Sequence, residues 1–372
     1  MPPDPPVIAV TGADGFIGRN LVVRLGERGR AVRPITRETP APQMQAAIGG
    51  SDVVIHLAGA NRPADPADFL RTNRDHTADV ARAIAAGGRR PLVVFTSSVK
   101  AAEDTPYGRS KAAGEAVLRD LAGRGAARVA ICRLPNVFGK WARPHYNSAI
   151  ATFCHDAARG LPLHVDDPDA PLALLHIDDL LDQWLALIDA PPAQDGIIAP
   201  RQVHHTTVGA AAALIRRFAE GRESGEAPPA GDGLARALYA TFAAALPVEK
   251  FSYPLAAHVD PRGRFTEMLR LAGGGQISCL TANPGATRGG HYHHAKVEKF
   301  LVVHGRARFR FRHVVTGERH EIAAAADRPE VVEAVPGWSH DVTNIGDNLL
   351  VAMVWASEPF DPARPDTAAM PL

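Results

Sequence analysis

Residues 7–18 constrain the fold more than any other stretch. Val7, Ile8, Ala9 and Val10 are a short apolar run of buried-strand type, followed at once by Thr11 and by glycines at Gly12, Gly15 and Gly18. A helical pattern over residues 19–28 comes next. Strand, glycine turn and helix in that order open a parallel α/β unit. The glycines let the backbone approach a pyrophosphate, whose charge then sits at the helix N-terminus. Gly12, Gly15, Phe16, Ile17 and Gly18 are therefore candidates for holding a dinucleotide, the other reading being an ordinary turn.

The next apolar runs fit the same unit. A second strand is expected over residues 31–36, ending beside the adenosine ribose. An NAD enzyme carries a carboxylate there, about 20 residues past the glycines. This chain has Arg37, 19 residues beyond Gly18, and no acid inside the strand. A guanidinium suits a 2′-phosphate, so NADPH is the expected cofactor; a solvated arginine beside Glu38 is the alternative. Residues 52–60 read as a buried strand ending in Leu57, Ala58 and Gly59, small enough for close backbone approach. His56 within it is assigned no chemistry. Residues 73–86 have helical period, and residues 91–98 form a strand ending in Thr96, Ser97 and Ser98. Ligands of open α/β sheets collect at the carboxyl ends of strands. Ser98 is thus a candidate for holding a substrate carbonyl, or else a cap.

Tyr107 and Lys111 stand four residues apart at the start of a helix-forming run that continues to Leu121. That offset places both on one helical face, one turn apart. An ammonium beneath a phenol lowers the phenol pKa, and the phenol then exchanges a proton with a carbonyl oxygen while a cofactor handles the hydride. The chain has only six lysines, so one at this offset is less accidental than in a lysine-rich helix. Downstream, residues 139–147 combine Lys140, Trp141, Arg143, His145 and Tyr146. Such a loop can stack on a base and grip phosphates, or anchor an interface. Asp178 and Asp179 open a later helix and read as structural.

At 372 residues two domains are expected, 1–246 and 247–372, with Pro-, Gly- and charge-rich loops at 191–192 and 221–233 and helices at 207–220 and 234–246. Beyond Pro247 the apolar period changes to two. Strands are expected over residues 276–281, 299–304, 307–312, 331–335 and 349–355, the pattern of a small antiparallel barrel or jelly roll. Phe309 and Phe311 alternate with Arg308, Arg310 and Arg312, a buried face against a wet one.

The chemistry of this half lies in residues 290–298. Alternation along a strand turns His291 and His293 to one side, with Glu298 starting the next strand and His340 supplying a fourth ligand. Imidazoles with one carboxylate make a borderline site accepting Zn, Fe, Mn or Ni, zinc being the expected ion.

A net charge of +1 with 22% charged residues argues against nucleic acid and anionic membranes as partners. The opening residues do not read as a signal peptide, and no apolar run is long enough to span a bilayer. Cys132, Cys154 and Cys279 are odd in number, widely spaced and without metal-ligand spacing, which suits a reducing cytoplasm.

Taken in order, Gly12, Gly15 and Gly18, the Leu57–Ala58–Gly59 strand end, Asn73, Ser98, Tyr107 with Lys111, and the run from Arg133 through Asn136 to Gly139 resemble the extended short-chain dehydrogenase/reductase family. The resemblance implies a doubly wound Rossmann-like domain, with Ser98 and Tyr107 on the substrate carbonyl. It further implies Lys111 on the nicotinamide ribose, Asn73 near the cofactor, and Asn136, with Trp141 and Arg143, near a nucleotide-sugar diphosphate. One departure is that Ser98 and Tyr107 are only nine residues apart, so the usual substrate-covering segment is missing. The second half resembles the cupin superfamily through His291, His293, Glu298, Gly305 and His340. Residues 260–267 also look like the opening of nucleotide-4-keto-sugar 3,5-epimerases, in which the histidine matching His291 is a base without metal. Ligand and base are exclusive roles for His291, and the presence of His293 and Glu298 favours ligand.

A reductase followed by an epimerase-like cupin resembles the bifunctional enzymes of capsular polysaccharide synthesis that form UDP-N-acetyl-6-deoxy-L-talosamine. The resemblance implies a UDP-linked 4-keto-6-deoxy amino sugar as substrate, epimerisation at C3 in the cupin, NADPH reduction at C4, and a cytoplasmic homodimer. Two other readings stay open: a single-function reductase with the cupin as dimerisation module, and a nucleotide-sensing regulator.

Overall fold

The computed structural model describes residues 5–63, 65–228, 233–271 and 273–372. They divide into two compact units. The first runs to Arg216 and resumes to end at Pro247; the second takes an inserted stretch beginning at Arg217 and then everything from Val248 to Leu372.

The first unit is built on strands β1 (Ile8–Thr11), β2 (Val32–Ile35), β3 (Val53–His56), β4 (Leu92–Ser98), β5 (Arg128–Leu134), β6 (Asn136–Phe138), β7 (Pro171–His176), β8 (Gly196–Ile198) and β9 (Val203–Thr207). Six of them form one parallel sheet in the order β2-β1-β3-β4-β5-β8. Its central strands are apolar on both faces because helices cover both. Ile8 and Val10 face one core with the helices Phe16–Glu27 and Ile177–Asp189, whose Trp184 is fully buried. Ala9, Val54 and Phe95 face the other, against Ala41–Gly49, His76–Gly87 and Pro106–Gly123. The Rossmann-like parallel sheet that the resemblance implies is thus present. A small sheet, β6-β7-β9, lies beyond it.

Two local features prepare the sheet's carboxyl edge. Gly12 adopts φ of +65°, and a Cβ on Gly18 would lie 2.1 Å from the Gly12 carbonyl oxygen. Only glycine lets the first helix start this close to β1. The helix leading to Gly87 begins with a π turn at Arg71–Asp75, where Asn73 sits. Such widened turns collect at functional positions because they push one residue inward.

The second unit is all-β and antiparallel. Its strands are β10 (Ala257–Asp260), β11 (Gly263–Arg270), β12 (Gln276–Ala282), β13 (Thr287–Tyr292), β14 (Glu298–His304), β15 (Arg306–His313), β16 (Arg319–Ala325), β17 (Val331–Ala334), β18 (Trp338–Asn344), β19 (Leu350–Ala356) and β20 (Ala368–Ala369). They form two sheets, β10-β11-β12-β19-β14-β17 and β16-β15-β18-β13-β20, around one core containing Phe300, Phe309, Phe311 and Val354. The arginine face of β15 is less simply wet than its alternation suggests. Arg310 forks onto the buried Asp341 at 3.0 and 2.5 Å. The stretch expected as loop at 221–233 contributes Glu226, which bridges Arg270 of β11 within this unit.

Among the described residues no helix is long and apolar enough to cross a membrane. Cys132, Cys154 and Cys279 are unpaired, and burial pushes the first two thiols up to about 11 and 12.

Candidate active sites

At the carboxyl edge of the parallel sheet the sequence-predicted groups converge. Thr11 Oγ1 accepts from the backbone N–H of Leu57 and Ala58 at 3.1 and 3.2 Å. His56 is fully buried between the hydroxyls of Thr11 (2.7 Å) and Thr77 (2.9 Å), and burial drives its pKa well below the ordinary value. It is a neutral core group tying β1 to the helix after β3. Asn73 clamps Ala60 through both main-chain groups, at 2.8 and 3.1 Å, and donates to Ser110 at 2.9 Å. A Cβ on Gly59 would meet Asn73 Oδ1 at 2.8 Å and Lys111 Nζ at 3.1 Å. Gly12 packs against Ala58, and Gly59 against Asn73 and Lys111, so closely that neither glycine leaves room for a side chain.

Thr105 caps the helix Pro106–Gly123, and Tyr107 and Lys111 point from its first turns. The Lys111 ammonium lies 5.9 Å from the Tyr107 ring centre and donates to the Thr96 carbonyl at 3.1 Å. Burial lowers its pKa to about 8, against the raising effect of Glu115. The expected lowering of the phenol is not what the structure gives. Burial raises Tyr107 above its ordinary value, and only the neighbouring Ser98 hydroxyl acts downwards. The ring is close to the ammonium, yet desolvation is the larger influence on the phenol. The Tyr107 hydroxyl donates to Asn61 Oδ1 at 3.3 Å, a partner that sequence reasoning missed. Ser98 ends β4 and also caps the short 3₁₀ turn Val99–Ala102 by accepting from Lys100 N–H. Both of its sequence readings, cap and inward hydroxyl, are thus compatible with its position. That turn is nearly the whole connection to Tyr107. Arg37 is exposed just after β2 and makes no hydrogen bond or ion pair with a described residue.

A cavity of about 490 Å³ in the same unit is lined by Arg62, His145, Tyr146, Asn147, Thr152, His164 and their neighbours. Of the residues expected near a diphosphate, Asn136 and Trp141 are exposed and do not line it. Arg143 reaches it only by stacking on the Tyr146 ring, 5.1 Å away. Lys140 pairs with Asp178 at 2.8 Å, in keeping with the structural reading of that acid. His145, held at φ of +53°, sets Nε2 3.0 Å from Asp156 Oδ1, the oxygen that His155 Nδ1 also meets at 3.0 Å. Nothing in the local pattern of residues 145–156 announced that cluster.

In the second unit His291, His293, Glu298 and His340 bring their ligand atoms within 4.8 Å of one another. The three imidazole centres are 4.8 to 5.4 Å apart. His291 ends near the close of β13, after a bulge between Gly289 and His291; His293 lies just past the strand rather than on it. Tyr292 turns away and packs on His294. Burial raises the Glu298 carboxyl, but the two imidazoles facing it, His293 and His340, the latter at hydrogen-bond distance (3.3 Å), outweigh burial and hold the group well below the usual carboxylate range. Burial, followed by His340, lowers His291 to about 4, so it is neutral and free to ligate. The test of fit is His293 Nε2. It is buried, 3.5 Å from Glu298 Oε2, and has no hydrogen-bond partner among the described residues. Buried polar atoms are nearly always paired. An orphan imidazole nitrogen aimed at a carboxylate and two more imidazoles fits a divalent cation of the borderline class.

Residues 8–199 match the NAD dependent epimerase/dehydratase family. The chain belongs to that family. Residues 258–368 of this family member match the polysaccharide biosynthesis C-terminal domain. It is 44% identical, over 97% of its length and 98% of the relative's, to a UDP-2-acetamido-2,6-beta-L-arabino-hexul-4-ose reductase of Pseudomonas aeruginosa. The crystal structure of the capsular polysaccharide assembling protein CapF from Staphylococcus aureus superposes with a TM-score of 0.91 at 36% identity, covering 98% of this chain and 99% of that one. UDP-glucose 4-epimerase from Thermotoga maritima, solved with UDP-glucose, covers 64% of this chain and 97% of its own at 19% identity and a TM-score of 0.55, a likeness of fold. The family and the 44%-identical reductase support an oxidoreductase with a nicotinamide cofactor, and the relatives' own names place them in UDP-sugar reduction and capsular polysaccharide assembly.

Proposed function

We propose that this enzyme makes UDP-N-acetyl-6-deoxy-L-talosamine in two steps. The second unit, read as a cupin, inverts C3 of a UDP-2-acetamido-2,6-dideoxy-4-hexulose. The first unit then reduces the C4 ketone with NADPH. The 4-ketone makes the C3 hydrogen acidic, so a base can remove it and return a proton on the opposite face; which side chain does so is left unassigned. A divalent cation, zinc by donor set, would supply Lewis acidity towards the developing enolate. His291, His293, Glu298 and His340 would hold it, the deprotonated Glu298 and the neutral His291 being in ligating form already.

In the first unit the nicotinamide supplies a hydride. Tyr107 delivers the proton to O4, Ser98 steadies the carbonyl, and Lys111 holds the ribose and the charge beside the phenol. Gly12, Gly15, Phe16, Ile17, Gly18, Leu57, Ala58, Gly59 and Asn73 line the cofactor's path, and the exposed Arg37, without a partner among the described residues, takes the 2′-phosphate. Asn136, Trp141 and Arg143 flank the UDP. The protein acts in the cytoplasm as a homodimer.

One observation carries the epimerase half: four convergent ligands around an unpartnered imidazole nitrogen. Incubation with the 4-keto sugar in deuterated water, with and without NADPH, tests the reading. Deuterium at C3 without NADPH and the talosamine product with it are expected. Reduction without any C3 exchange would leave a single-function reductase, and NADPH binding without turnover would leave a sensor.

A further inference from the structure

The chain end folds back on the ligand loop. The Asp366 carboxylate accepts from three consecutive backbone N–H groups, those of His294 (2.8 Å), Ala295 (2.7 Å) and Lys296 (2.8 Å). The Asp366 carbonyl oxygen accepts from Nδ1 of His293. Thr367 receives Lys296 Nζ at 3.3 Å, and Ala368 and Ala369 pair with Tyr292 and His291. Met370 N–H donates to the Gly290 carbonyl at 2.9 Å, and its own carbonyl accepts from Ser339, beside His340. Every residue from 366 to 370 therefore touches the ligand loop or the neighbour of a ligand.

Within this set Asp366 has a distinct task. Residues 293–297 belong to no strand or helix, so their main-chain donors have no ladder to join. A carboxylate that gathers three of them fixes the loop by charge-assisted bonds. Its carbonyl can only accept, so the proton of His293 resides on Nδ1 and the lone pair on Nε2. Orientation of a ligating imidazole by a hydrogen bond on its other nitrogen is how proteins set both tautomer and aim.

We propose that Asp366 is a positioning residue for the His291–His293–Glu298–His340 centre, its carboxylate fixing the loop and its carbonyl presenting His293 Nε2. This rests on the metal reading above. The experiment uses full-length protein, with Zn(II) affinity measured by competition against a chromophoric chelator and the visible spectrum of the Co(II)-substituted form. Asp366→Ala keeps the carbonyl but frees the three loop N–H groups that aim it at His293, so it should weaken Zn(II) binding about 10-fold or more and alter the cobalt bands. Asp366→Asn keeps one accepting oxygen and should fall between wild type and Asp366→Ala. Unchanged affinity and an unchanged cobalt spectrum in Asp366→Ala overturn the inference. Should Asp366→Ala not fold, Asp366→Asn decides: reduced affinity supports the inference and wild-type affinity overturns it. Wild type that binds Zn(II) no better than His340→Ala removes the metal reading and this inference with it.

Discussion

The ammonium of Lys111 lies 5.9 Å from the ring centre of Tyr107, one helical turn away, yet the phenol is raised rather than lowered. Both groups are buried more than they are helped. A phenol that holds its proton at neutral pH is suited to donating one to a developing alkoxide. Tyr107→Phe should therefore cut NADPH oxidation by the keto sugar about 10²- to 10⁴-fold. Deuterium exchange at C3 should survive. Equal loss of both activities would mean that the two chemistries are not separable.

The buried Lys111, lowered to about 8, sets an alkaline limit. Its charge is present below that value and lost above it. The rate of reduction per unit of keto sugar at low concentration should fall as pH rises through about 8. Arginine stays protonated throughout, so Lys111→Arg, however slow, should lack that limb. A pH–rate profile that stays flat through pH 9 counts against the assignment.

Arg37 is solvent-facing and pairs with none of the described residues. If it meets a 2′-phosphate, Arg37→Glu should raise the KM for NADPH at least tenfold through like-charge repulsion and leave that for NADH little changed. The check is initial-rate kinetics with both cofactors.

Removing a ligand from the second unit should act only there. His340→Ala, or dialysis of wild type against a chelator, should lower bound zinc measured by elemental analysis and abolish C3 exchange. Zinc added back should restore exchange to the dialysed wild type alone. Persisting exchange in both would return His291 to the role of a metal-free base.

Glu115 is a structural keystone of the first unit. Its buried carboxylate takes two bonds from Arg133 at 2.8 Å and one from Ser97 at 2.6 Å. Glu115→Ala should destabilise the fold by about 3 kcal/mol, since Arg133 and Ser97 lose their acceptor. Denaturant unfolding measures this, and a change below about 1 kcal/mol would show that solvent replaces the carboxylate.

Much of the first unit was legible because its signals are local. Glycines, strand ends and the Tyr107–Lys111 offset each act within a few residues, and periodicity finds them. Strand β18 shows where that method stops. Its residues are polar, yet Ser339, His340, Asp341, Thr343 and Asn344 are all buried, because they serve a site and a pairing network instead of an oily core. Likewise His293 was expected on the strand with His291. The strand ends at Tyr292, and the ring is carried to its place by the chain terminus. Asn61 and Asp366 could not be found beforehand. Each sits in irregular backbone and meets its partner 46 or more residues away. The bulge at Gly289 and the left-handed His145 are decided by tertiary contacts of the same kind.

The inserted stretch of the second unit has a practical corollary. The polypeptide leaves the first unit at Arg216, comes back to it, and leaves again at Pro247. No single scission can then yield both halves intact. A fragment beginning at Val248 would lack Glu226 and expose the flank of β11, while its counterpart would carry the inserted stretch as an internal segment cut off from its own unit. Clean separation calls for a rewired gene that cuts the helix Val208–Ser224 after Arg216 and joins it to the helix Gly233–Ala244, so that studying either chemistry alone is better done by point substitution than by truncation.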